Sequence, residues 1–173
     1  MKNTKKLTLC AILAALSVVL LLLGTLLSVA DLCALLVTSF IVLFALMAVS
    51  GVYPWLLYGV TGVLSLVFVP DKLIPLLYIV FAGIYPLVKF RLDRLPRGLS
   101  FVLKELWFNA TLVGGAALSL FVLSGGEAEL PLPLAITGFF VLNICFILFD
   151  ITLKRFVRIY FNRIEPRISR LLK

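Results

Sequence analysis

Few side chains in this sequence can do chemistry, and the missing type is the most informative: there is no His among its 173 residues. Without imidazole the usual general base is absent, and so are the Ser-His and Cys-His pairs that activate a nucleophile. Cys10, Cys33 and Cys145 are odd in number and fall on three different predicted helices, so they form no obvious disulfide framework and have no partner type for a metal set. They read as small packing residues. No Gly-x-x-x-x-Gly-Lys-Ser/Thr phosphate loop is present either. The inventory therefore points away from an enzyme, with no catalytic residue, no metal and no cofactor expected.

The elements that must position the remaining polar groups follow from composition. Apolar residues make up 63% of the chain, charged residues 14%, and the mean hydropathy is +1.20. A soluble domain is about half apolar and a quarter charged, and disorder needs the opposite balance, so the chain reads as an all-α integral membrane protein. Charged residues delimit uncharged stretches at 7–30, 32–70, 73–88, 106–126 and 130–149. A helix needs roughly 20 apolar residues to cross a bilayer, so four stretches hold one span each and 32–70 holds two. Ser50-Gly51-Val52-Tyr53-Pro54-Trp55 sits at the middle of that long stretch, where Gly and Pro favour a tight hairpin and Tyr and Trp suit an interface. Stretch 73–88 is short, and flanking Lys72 and Lys89 are expected to snorkel outward.

The predicted architecture is six transmembrane helices, near 7–30, 32–50, 54–69, 73–88, 103–123 and 131–151, forming a bundle over residues 1–151. The positive-inside rule tests this count. With both ends cytoplasmic, every Lys and Arg except Lys72 falls on the inner side, whereas five or seven helices would misplace the 89–105 block or the tail. The net charge of +8 is thus a topology signal and no argument for nucleic acid. Met1–Lys6 with the apolar run behind it imitates a secretory signal, but that run exceeds the roughly 7–15 residues of a signal core, so the first helix is expected to stay.

Polar groups at membrane depth are expensive unless paired or lining a cavity. On the fifth helix Lys104, Glu105 and Asn109 lie near the inner boundary, Glu105 and Asn109 sharing a face, and on the sixth Asn143 lies mid-span with Asp150 two turns below. These five residues read either as a structural network closing the inner end or as an ion pathway, although a pathway wants carboxylates nearer the midplane. Asn109 and Asn143 could bond each other or floor a pocket. On the outer side Asp31, Asp71, Lys72, Glu127 and Glu129 form a sparse, mostly acidic rim, the gate for any substrate arriving from outside. From 152 to 173 the apolar residues recur at three- and four-residue steps while Lys154, Arg155, Arg158, Arg163, Arg167 and Arg170 fill the other positions. That pattern is a basic amphipathic helix on the cytoplasmic surface, an anchor on anionic lipid or a docking helix for a partner.

The run Lys5-Lys6-Leu7-Thr8-Leu9-Cys10-Ala11-Ile12-Leu13-Ala14-Ala15-Leu16 resembles the start of the S-components, the substrate-capture subunits of energy-coupling-factor transporters. The resemblance implies six helices with both ends cytoplasmic, a vitamin, vitamin precursor or transition-metal ion as substrate, and a transmembrane coupling subunit with ATPases as partner. Ala11 and Ala15 match that family's Ala-x-x-x-Ala docking patch, with Ala14 beside them. The motif covers about a dozen residues, whereas length and topology agree over the whole chain. The absence of His and the aliphatic outer halves of helices two to four depart from metal capture and leave few groups for a polar vitamin. Trp55, Tyr58, Thr61, Ser65, Tyr78 and Tyr85 are what remains to contact a substrate.

Two readings follow. One is a substrate-binding subunit of an ATP-driven micronutrient importer in a bacterial plasma membrane, taking a small, largely neutral or hydrophobic molecule. The other is a non-transporting scaffold or assembly subunit of the bacterial cell envelope. An interior site with converging polar groups favours the first, and a solid apolar core favours the second.

Overall fold

The computed structural model describes residues 3–27, 30–49, 51–123 and 132–164. Among the described residues there are helices and no strands, arranged as six rods. These are α1 (Asn3–Leu26), α2 (Asp31–Ala48), α3 (Tyr53–Phe68), a fourth rod made of α4 (Leu73–Leu77), a π-turn (Tyr78–Ala82) and α5 (Tyr85–Leu92), then α6 (Arg97–Leu123) and α7 (Leu132–Ile159), the last followed by a second π-turn, Tyr160–Ile164. Four stretches, 4–26, 31–48, 73–92 and 136–162, are long and apolar enough to cross a membrane, and α3 is a shorter apolar helix. The chain divides into a larger unit, Lys2–Ser119, and a smaller one, Leu120–Lys173.

In the larger unit α1 packs on both α2 and α3, α2 packs on α5 and the first π-turn, and α3 packs on α4 and the same π-turn. The core runs through Cys10, Ala14, Leu21, Leu35, Val42, Ala45, Leu57, Ile74, Tyr78 and Leu87. The expected hairpin inside 32–70 is present. Gly51 takes φ +97°, a left-handed conformation that glycine reaches without strain, and Pro54 sits in the first turn of α3, where its missing N–H costs nothing.

Three boundaries differ from those read off the charges. The fourth rod reaches Leu92, α6 begins at Arg97, and α7 continues without a break to Ile159. In each case the helix runs through charged residues, because an α-helix is ended by backbone chemistry and not by a change in polarity. Lys89 does not snorkel outward either: it is 1% exposed and ion-paired inside the larger unit.

In the smaller unit Phe146, Phe149, Leu153 and Tyr160 are buried, while Lys154, Arg155 and Arg158 are exposed. The amphipathic pattern thus belongs to the last turns of α7, and Lys154 reaches Asp150 one turn back at 3.0 Å. Arg163 falls in the second π-turn, and Arg167 and Arg170 lie outside the described residues.

Candidate functional site

One end of the larger unit is basic and tied by ion pairs and ring contacts. Asp93, just past α5, bonds Lys89 one turn back at 3.3 Å and also takes Lys104 of α6. Both lysines are nearly inaccessible, at 1% and 2%, while Asp93 is 36% exposed. At the same end Lys6 of α1 sits over the Tyr53 ring and Arg91 of α5 over the Trp55 ring, at 5.9 and 5.5 Å from the ring centres. These cation–π contacts fix the ends of three rods at one level. Asp93 is the residue that the sequence reading missed, although its spacing of four from Lys89 was there to be read.

At the other end, Asp71 and Lys72 act on helix termini. The Leu73 N–H donates to the Asp71 carboxylate at 2.9 Å, and the Lys72 ammonium donates to the carbonyls of Leu66 and Val69 at 2.8 Å each. An anion at a helix start and a cation at a helix end both complement the helix dipole. Asp31 opens α2, with one carboxylate oxygen buried and without a hydrogen-bond partner. Glu127 and Glu129 lie outside the described residues.

Between the two ends lies a level of hydroxyls. Ser17, Thr38, Ser39, Thr61 and Ser65 are all 0% exposed, as is Tyr78. At 1.5 Å per residue, Ser39 stands about 12 Å along α2 and Thr61 about 12 Å along α3, both near mid-helix. Ser17, Thr38 and Ser65 each donate to a carbonyl one turn back on their own helix, at 2.8–2.9 Å, which is how isolated hydroxyls usually settle in an apolar helix. Ser39, Thr61 and Tyr78 do not: their side-chain oxygens are buried with no hydrogen-bond partner. The Thr61 and Tyr78 hydroxyls face each other closely enough to interact, yet neither completes a bond of ordinary geometry.

The first π-turn builds this level. Tyr78 opens it, and the Tyr58 hydroxyl of α3 donates to the carbonyl of Ile79 within it at 2.8 Å. The Tyr58 and Tyr78 rings lie 6.0 Å apart, and Trp55 meets Tyr58 edge-on at 6.4 Å. Gly83 makes room for this pair. A Cβ there would stand 2.7 Å from the Tyr58 ring and 2.7 Å from the Tyr78 ring, too close for either. Phe81 continues the aromatic lining, stacking on Tyr85 and meeting Phe108 of α6, both at 5.5 Å. Breaks of this type recur at functional sites because they re-aim side chains and loosen the backbone ladder.

The six substrate-contact candidates are thus partly brought together. Trp55, Tyr58, Thr61 and Tyr78 form one cluster, Ser65 is spent on its own helix, and Tyr85 is buried against Phe81. Ser39 was missed, since a single Ser inside an apolar helix carries no signal until its face is known. Of the docking residues, Ala11 and Ala15 are exposed, whereas Ala14 turns into the core. The asparagines each donate one turn back, Asn109 to Glu105 at 2.9 Å and Asn143 to Phe139 at 2.8 Å.

Comparisons with protein families, with curated proteins and with solved structures gave no match.

Proposed function

We propose that this protein is a membrane-embedded binding subunit that takes up a small, largely neutral or hydrophobic molecule. The observation that carries the reading is the set of three buried hydroxyls, on Ser39, Thr61 and Tyr78, left without partners beside a helix break. An unsatisfied buried hydroxyl costs about 1–3 kcal/mol, and polar side chains at membrane depth belong by default to sites that bind or move something. The aromatic cluster of Trp55, Tyr58 and Tyr78 supplies the apolar surface that such a molecule needs.

The finer reading rests on the resemblance of the N-terminal run to S-components. On it, the chain serves an ATP-driven micronutrient importer of the bacterial plasma membrane, with both ends cytoplasmic and the basic turns of α7 against anionic lipid. Ala11 and Ala15, exposed one turn apart on α1, then receive a helix of the coupling subunit, because paired small residues let two backbones approach closely. Asp31, Asp71 and Lys72 stand at the end from which the molecule arrives.

The envelope-scaffold reading draws on a different observation, the close-packed core and ion-paired basic end of the larger unit. Native mass spectrometry of the protein drawn gently from bacterial membranes separates the two. The binding-subunit reading expects an ATPase-containing complex or a stoichiometric small molecule, and expects Ala11→Leu with Ala15→Leu to abolish the complex. A molecule-free protein accompanied by envelope-assembly proteins overturns it in favour of the scaffold.

A further inference from the structure

We infer that Thr61 and Tyr78 form an interior site for an uncharged hydrogen-bonding group: the hydroxyl, carbonyl or amide of a neutral guest, or water. The inference rests on the binding-subunit reading for the guest's identity and on geometry alone for the site. Both side chains donate and accept, so together they match a group that does the same. Each is 0% exposed and completes no hydrogen bond of ordinary geometry, while Ser65, one turn from Thr61 on α3, is satisfied by its own helix, as are Ser17 and Thr38. The difference is therefore not the usual fate of a hydroxyl in an apolar helix.

The charge distribution favours a neutral guest over an ion. Most charged residues of the larger unit stand toward the rod ends, Lys5, Lys6, Lys89, Arg91, Asp93, Arg94 and Arg97 at one, with Lys104 and Glu105 in the third turn of α6, and Asp31, Asp71 and Lys72 at the other; none lies on α2, α3 or the fourth rod at the level of Thr61 and Tyr78. A bare ion at mid-helix meets no counter-charge, and the desolvation cost of an uncompensated ion is several kcal/mol even after relaxation. A neutral polar group avoids that cost and gains the hydrogen bonds. The neighbours are aromatic and aliphatic, Tyr58 beside the Tyr78 ring and Ile79 next in the turn, so the guest's remainder is apolar.

The π-turn gives the site its adjustability. Tyr78 is its first residue, Gly83 lies directly beneath the ring with no side chain, and the Tyr58 bond to Ile79 holds the turn from the α3 side. A shift of this segment re-aims the Tyr78 hydroxyl against α2 and α3, which pack on the turn.

The sign of two near-isosteric substitutions tests the site. In lipid nanodiscs, Tyr78→Phe and Thr61→Val are expected to lower the melting temperature by about 2–4 °C each, because each strands a hydrogen-bonded guest. Water-edited solid-state NMR of ring-labelled tyrosine and native mass spectrometry identify the guest. A stoichiometric mass excess that disappears in both variants establishes the site and supports the binding-subunit reading. Magnetisation transfer from water to Tyr78, with destabilised variants and no mass excess, establishes the site with water as its guest and moves substrate capture elsewhere. If both variants melt higher than the parent and no transfer reaches Tyr78, the hydroxyls are orphans and the inference is overturned, whatever complex the chain forms.

Discussion

The basic end and the hydroxyl level of the larger unit handle the same difficulty in opposite ways. Both place polar groups out of reach of water, but Lys89 and Lys104 are drawn onto a shared carboxylate, Asp93, whereas Ser39, Thr61 and Tyr78 complete no hydrogen bond of ordinary geometry. Ammonium groups this deep cannot be left wholly unpaired, because an uncompensated buried charge costs several kcal/mol. Hydroxyls can, at a cost of about 1–3 kcal/mol each. The lesson is that paired polar groups report on how the bundle is held, and unpaired neutral ones report on what it can hold.

The sharpest way to break the comparison is Asp93→Asn. Removing the shared carboxylate leaves two nearly inaccessible ammonium groups without their common counter-charge. A loss of roughly 3 kcal/mol is expected, at the low end for a broken buried pair because Asp93 itself is partly open to solvent. Thermal unfolding in detergent should show a fall of about 6–12 °C. Asp93→Glu should recover part of it, and a melting temperature equal to the parent's would remove the basic end from the structural side of the argument.

Gly83→Ala attacks the other region through packing. The new methyl group meets two tyrosine rings at 2.7 Å, so one ring or the π-turn must move, at an expected cost of about 1–3 kcal/mol. Because the same displacement disturbs the Tyr78 hydroxyl, tyrosine fluorescence and any bound small molecule should change with it. Loss of stability with unaltered tyrosine signals would mean that the backbone, and not the ring pair, absorbs the strain.

Tyr58→Phe separates the turn from its strap. It removes a hydrogen bond that reaches from α3 into the π-turn, worth about 1 kcal/mol, while keeping the ring contact with Tyr78. Hydrogen exchange at residues 78–84 should rise while exchange in α1 stays constant. An equal rise in both would show that the turn has no independence from the bundle.

How far the sequence reaches into this structure depends on the kind of interaction. The rods are legible because charge gaps and hydropathy are properties of single stretches, and the hairpin at Gly51 and Pro54 is legible because those residues act on their own backbone. Asp93 was legible too, from its spacing to Lys89, but its pairing with Lys104 joins two rods and has no local sign. The break at Tyr78–Ala82 has only Gly83 and the flanking Pro75 and Pro86 to announce it, and those residues equally allow a kink or an unbroken helix. Thr61 and Tyr78 could be named from composition. That their hydroxyls are buried, adjacent and unpartnered follows from the packing of α3 against the fourth rod, which no single stretch contains.

The mildest substitution bears on the end opposite the basic one. Lys72 donates to the carbonyls of Leu66 and Val69, two of the groups that a helix end leaves unsatisfied, and so acts as a C-terminal cap on α3. Lys72→Ala should cost about 0.5 kcal/mol, within the range for a cation at a helix terminus exposed to solvent. The same lysine is the lone cation of the rim proposed as a gate. If it serves only α3, Lys72→Arg should keep the parent's stability, since a guanidinium also caps carbonyls, and uptake or retention of a small molecule should not change in either variant. A defect in uptake larger than the stability loss, unrescued by Lys72→Arg, would give this residue a role at the gate beyond the cap.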